Sequence, residues 1–258
     1  MPTEYAHYRF GIQVIPTLPE PLQRSVQRFR QLFDVGLHGP DPFFHYNIVR
    51  KTPVGRLGST MHLETGEEFF TRACRRLKLR PSEAGTVFLY GWLGHYCLDS
   101  ICHPFVHEHT DEGPIGHVEL EKEFDRYLLQ LDGKTPPHAQ DFSDHMALSR
   151  RDAATAAEFL APATPAQVYR TTHNMARNTH LLAKVDPRLL SAALHKLGNE
   201  IAQQQMPDVP NPTCSFLDEA FMDHYNRALE TYPRMAKQLD CHLRTGAPFG
   251  AEFRKIYG

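Results

Sequence analysis

Hydrophobic positions along this chain recur at helical rather than alternating intervals. Leu22, Val26, Phe29 and Phe33 fall near the 3.6-residue period and predict an amphipathic helix over 21–33. Leu63, Phe69, Phe70, Ala73, Cys74 and Leu77 predict another over 62–79. Pro81-Ser82-Glu83 reads as a helix start, since proline suits a first turn. The apolar run that follows reaches Cys102, where Pro104 is expected to stop or kink it. A polar loop to Gly116 leads into a helix over 117–131, which Asp132-Gly133 and Pro136-Pro137 close. Further helical patterns cover 150–160, 165–182, 186–205 and 215–243, and the Pro-rich run from Met206 to Pro212 separates the last two. Helix-favouring Ala, Leu, Gln, Glu and Arg dominate the second half, and neither alternating strands nor an internal repeat is visible. The expected fold is an all-α multi-helix bundle. It is expected to form one domain over 1–258, with chemistry-bearing motifs in 1–131 and C-terminal helices over 149–258.

The run Gly85–Cys102 has eighteen residues without Lys or Arg, long enough to imitate a membrane span. His95 and Asp99 lie inside it, however, and are costly in lipid. A central helix buried in a soluble core is the expectation, with no integral membrane span. Lys plus Arg number 28 against 30 Asp plus Glu, a net charge of -2. No bulk attraction to nucleic acid or anionic membrane follows from that balance. The five cysteines are odd in number and lack CxxC spacing, which suits reduced thiols better than a disulfide framework. With no basic n-region or apolar h-region at the start, the expected location is cytoplasmic.

Histidine changes the picture. There are 16, and five of them crowd between His95 and His117. His95 and Asp99 are four residues apart, so on a helix they share a face and can reach one ion. His117 and Glu121 repeat the device on the next helix, where Phe124 and Leu128 share their face and turn it inward. His103 lies between, one turn beyond Asp99. Two antiparallel helices, each offering imidazole plus carboxylate, make a multinuclear site of mixed N and O ligands. The competing reading is ordinary His–carboxylate pairing. His107 and His109, with Glu108 and Asp111, are expected in a solvated loop. His138, His145, His173, His180, His195, His224 and His242 show no partner pattern and read as structural or surface.

The order Ala-His7-Tyr-Arg-Phe-Gly, Gly39-Pro-Asp41, Met61-His62, His95-x-x-x-Asp99, His103-Pro and His117-x-x-x-Glu121 resembles the bacterial zinc-dependent phospholipase C family. The wider superfamily of that family includes zinc-dependent single-strand nucleases. The resemblance covers residues 7 to 121 and implies an all-α fold with two to three zinc ions per chain at the foot of a cleft. It implies that Asp41, His62, His95 and Asp99 hold one zinc, and that His103, His117 and Glu121 hold a second. Asp99 would bridge onward to a third ion bound by His7. Asp41 would be the general base toward a metal-activated water. Secreted members also hold the third ion by an N-terminal Trp, which this chain lacks. Either the amine of Pro2, freed by removal of Met1, replaces it, or that position is empty.

The resemblance implies a zinc-dependent phosphodiester hydrolase, its substrate a phosphodiester such as a phospholipid head group. The alternatives are a single-strand nuclease or nucleotidase on the same scaffold, or a non-catalytic metal-binding scaffold. No Gly-x-Ser-x-Gly elbow offers a protein nucleophile, and Cys102 and His103 are helix neighbours that point apart. Phe43-Phe44-His45-Tyr46 suits a cleft mouth, where aromatics would meet a choline group or a base, or suits core packing. Near-neutral charge argues against a non-specific nuclease, which wants a basic groove.

Overall fold

A computed structural model describes residues 4–48, 50–185 and 206–257. Its described elements are helices and turns, with one isolated antiparallel bridge between Thr65 and Ile256. The helices are α1 (Glu4–Val14), α2 (Glu20–Arg28), α3 (Arg30–Gly36), α4 (Gly55–His62) and α5 (Gly66–Leu79). They continue with α6 (Glu83–Thr110), α7 (His117–Leu131), α8 (Arg150–Ala157), α9 (Pro165–Lys184) and α10 (Asp218–Thr245). The pattern over 186–205 lies outside the described residues, as does Pro2.

The apolar run predicted as a central helix is α6, buried along most of its length between α3 and α10. Ser82 caps it by accepting from the Gly85 amide. The helix does not stop at Pro104 but runs on to Thr110. Proline forfeits one backbone bond there, and burial of Phe105 and Val106 on the following turn offsets that loss. His107 and His109 therefore stand on the last turns of α6, not in a loop. No described helix is long and apolar enough to cross a membrane.

Other boundaries differ for equally local reasons. The predicted helix over 21–33 is broken at Phe29, whose backbone sits at φ −116°, ψ 38° between α2 and α3. The helix predicted over 62–79 starts later, at Gly66, because Thr65 forms a reciprocal cap with Glu68; His62 instead ends α4. Helix α1 had no distinct apolar period in the sequence. Asp125 of α7 anchors it by accepting from the amides of Tyr5 (2.9 Å) and Ala6 (2.7 Å).

Two glycines set the architecture around α6. A Cβ on Gly91 would lie 2.1 Å from the Phe33 carbonyl oxygen, and one on Gly36 2.6 Å from that of Phe88. The backbones of α3 and α6 thus cross in direct contact. That crossing delivers Leu37–Asp41 against the next turn of α6, where His95 stands. Gly39 adopts φ +49° with its α-carbon packed on the His95 ring. Helix α9 clamps the following 3-10 turn, Asp41–Tyr46, from outside. Thr171 donates to the Pro42 carbonyl, and Asn174 donates to those of His45 and Tyr46 at 3.1 Å each.

Candidate metal centre

Five elements bring all eight sequence candidates to one place. Helix α1 carries His7, the 3-10 turn carries Asp41, and the last residue of α4 is His62. Helix α6 contributes His95, Asp99 and His103 at four-residue steps, and α7 contributes His117 and Glu121. They assemble as three groups, the first two sharing His95: Asp41, His62 and His95; His7, His95 and Asp99; and His103, His117 and Glu121. Within each group one donor atom per residue lies within 4.8 Å of the others.

Asp99 is the hub. Its oxygens lie 3.1 Å from His7 Nε2, 3.1 Å from His95 Nε2, and 3.8 Å from both His62 Nε2 and His103 Nδ1. Asp41 lies 3.2 Å from His62 Nε2 and 3.7 Å from His95 Nδ1. Glu121 Oε1 is 3.2 Å from His103 Nε2 and 3.1 Å from His117 Nε2. Two imidazoles are oriented from behind, as metal-binding histidines commonly are. His62 Nδ1 donates to the Gly58 carbonyl (2.8 Å), and His103 Nδ1 to that of Tyr257 (2.6 Å).

This donor set fits a cluster of cations. Both oxygens of Asp41, both nitrogens of His95, Asp99 Oδ2, His7 Nδ1 and Glu121 Oε2 are buried without a hydrogen-bond partner. Seven such atoms on five of the eight candidates would be costly if nothing else satisfied them. His95 Nε2 and Asp99 Oδ2 approach to 3.1 Å yet are not aligned as donor and acceptor. Tetrahedral zinc with N and O ligands at about 2.0–2.1 Å separates its donors by about 3.3 Å, close to the spacings seen here.

Electrostatics of the metal-free chain agree. Burial works to lower the pKa of His103, but Asp99 and Glu121 overcome it and push the group up to about 10. Burial is likewise outweighed at His7, chiefly by Asp99, and at His62, chiefly by Asp41, so both are raised. His95 goes the other way, pushed down to about 4 by burial in spite of Asp99 and Asp41. Burial opposes ionisation of Asp99 and Glu121, yet the surrounding imidazoles hold both well below the usual carboxylate range.

A proton therefore occupies the His103 position at neutral pH, and a cation must displace it. Metal uptake is expected to release protons and to tighten as pH rises, which calorimetry in buffers of different ionisation enthalpy measures. The sign for stability follows from His103. In the metal-free chain its contribution is complete below about 6.5, its ordinary pKa, and is lost as pH rises through about 10. The melting temperature of chelator-treated protein is expected to fall across that interval.

The remaining histidines divide by burial. His38 and His145 are buried with their Nε2 atoms 3.1 Å apart, and Tyr8 stacks on His145. Burial pushes His145 down to about 4, which suits a neutral hydrogen-bonded pair and agrees with a structural role. His107 continues the four-residue series beyond His103, with its ring 5.3 Å from that of His117 and its Nδ1 3.0 Å from Asp111. His195 lies outside the described residues. Phe43 and His45 are core, whereas the half-buried Phe44 stacks on His62, with ring centroids 5.8 Å apart. Sequence reasoning missed Tyr257, whose carbonyl meets His103, because no spacing links it to the motifs.

Comparison with curated proteins and with solved structures finds no significant match to the chain. The family described as zinc dependent phospholipase C matches residues 6–168. That span carries all eight donors and the helices that present them. On these grounds the chain belongs to the zinc-dependent phospholipase C family.

Proposed function

We propose that this protein is a phospholipase C-like phosphodiester hydrolase using two to three zinc ions per chain. The observation that carries it is seven buried polar atoms without hydrogen-bond partners on five of the residues that gather into the three donor groups. In this reading Asp41, His62, His95 and Asp99 hold one ion, and His103, His117 and Glu121 a second. His7 with Asp99 serves a third. The continuous hydrophobic core running from Tyr5 to Tyr257 supports a single domain.

Bound zinc supplies an activated water at neutral pH and neutralises charge on the phosphoryl group. The protein supplies orientation and proton management. Asp41 carries two oxygens without hydrogen-bond partners, so one can hold the ion while the other accepts a proton from an attacking water. Gly39 packed beneath His95 and the Gly58 carbonyl behind His62 hold their rings in place. Phe44, stacked on His62, offers an apolar surface beside the reacting group, suited to the hydrocarbon or choline side of a lipid substrate.

Tag-free protein prepared without chelator is expected to contain two to three zinc per chain by plasma mass spectrometry. It is expected to release phosphocholine from a phosphatidylcholine dispersion and to leave single-stranded DNA intact. Asp41→Asn is expected to lower kcat by about 10²–10⁴-fold while at least the His103, His117 and Glu121 group keeps its zinc. Cleavage of DNA but not lipid would move the assignment to the nuclease branch. Zinc without turnover of either would make the protein a metal-binding scaffold.

A further inference from the structure

Residues 255–257 lie outside the span matched by the family, yet they pack directly behind the donor cluster. The Tyr257 amide donates to the His62 carbonyl (3.1 Å), and the Gly66 amide donates to the Lys255 carbonyl (3.1 Å). Thr65 and Ile256 form the antiparallel bridge between them. The Tyr257 side chain is fully buried, and its Oη accepts from Trp92 Nε1 at 2.6 Å. Its ring lies 5.9 Å from that of His62 and 5.8 Å from that of His95. Tyr96 Oη ties the same segment down by donating to the Lys255 carbonyl (2.9 Å). One residue thus touches three of the eight donors, on two helices.

The decisive contact is the Tyr257 carbonyl, 2.6 Å from His103 Nδ1. A carbonyl oxygen only accepts, so His103 must carry a proton on Nδ1. The lone pair of the neutral ring is then confined to Nε2, the atom 3.2 Å from Glu121 Oε1. The opposite tautomer would set two acceptors against each other at 2.6 Å. The Tyr257 amide meanwhile holds the end of α4, where His62 projects toward Asp41.

We propose that Tyr257 is a positioning residue of the metal centre: its backbone selects the zinc-binding tautomer of His103 and fixes the end of α4 that presents His62. The proposal rests on the zinc reading above. It makes metal affinity depend on a segment distant in sequence from every motif residue.

Long-range ¹⁵N–¹H spectra of the zinc-loaded full chain test the tautomer directly. His103 is expected to carry its proton on Nδ1 alone. A chain ending after Lys255 loses both backbone contacts and is expected to bind zinc about 10–100-fold more weakly by chelator competition, the usual cost of losing a partner behind a ligand. Restoring 256–258 with Tyr257→Phe, which keeps both backbone contacts, is expected to recover most of that loss. If the shortened chain does not fold, Tyr257→Pro in the full chain, which loses the amide bond to His62 together with the ring, is compared by the same competition with Tyr257→Ala, which loses the ring but keeps the amide. The proline variant is expected to bind zinc more weakly than the alanine one. A His103 proton on Nε2 in the zinc-loaded chain, or full zinc affinity without residues 256–258, would overturn the proposal. A full chain that takes up no zinc at all would instead overturn the metal reading itself, and this proposal with it.

Discussion

Asp99→Asn is expected to leave the protein with at most one zinc per chain and no measurable phosphodiester hydrolysis. Asp99 is the carboxylate within 4 Å of His7, His62, His95 and His103, so no other substitution touches as many donors. An amide is nearly isosteric but uncharged, and its NH2 cannot ligate a cation and would instead donate to an imidazole lone pair, taking that nitrogen away from an ion. The loss should exceed the roughly 100-fold typical of a partner one step removed from the ion. The metal-free variant is also expected to melt lower. Raised-pKa His7 and His103 would lose the buried charge that stabilises their protonated forms, and breaking a buried pair costs about 3–5 kcal/mol. Purification of Asp99→Asn with the wild-type zinc content would contradict the shared-ligand assignment.

The second large effect is mechanical. Gly91→Ala is expected to destabilise the fold by about 2–3 kcal/mol, lowering Tm by about 4–12 °C for a chain of this size. Helix propensity alone would favour alanine by about 1 kcal/mol, so the two arguments predict opposite signs. Sterics decide, because the new Cβ would lie 2.1 Å from a backbone oxygen, that of Phe33, which has no rotamer to escape into. Relief requires α3 to move away from α6, carrying Leu37–Asp41 with it. Zinc content and Tm are therefore expected to fall together. An unchanged or raised Tm would show that the crossing is looser than described.

Much of this organisation was readable from residue order. The four-residue steps from His95 to Asp99 and from His117 to Glu121 predict shared helical faces, and both pairs lie within about 3.1 Å. Phe124 and Leu128 correctly told which way α7 faces, since both are buried. Local punctuation was less reliable. Pro104 reads as a stop or a kink, and the stop does not occur, because burial of the next turn outweighs one missing backbone bond. Thr65 with Glu68 was a legible capping box that starts α5 at Gly66, later than the apolar period alone suggests. Phe43-Phe44-His45-Tyr46 reads ambiguously as core or cleft, and it is both: Phe43 is buried while Phe44 lies against His62.

The sequence by itself determined the helical class, the buried central helix and the two His–carboxylate pairs on shared faces, because helix periodicity and i,i+4 geometry are local properties of the backbone. His7, Asp41 and His62 entered as candidates only through the resemblance to the family. It did not determine how donors from five elements meet. The Gly36–Gly91 crossing, the Asp125 anchor under α1 and the Tyr257 carbonyl behind His103 bring together residues 55, 120 and 154 positions apart. No local pattern encodes such contacts. They arise from the packing of α3 and α10 against α6, which fills the core and gathers the candidate donors into three groups, each with ligand atoms within 4.8 Å of one another.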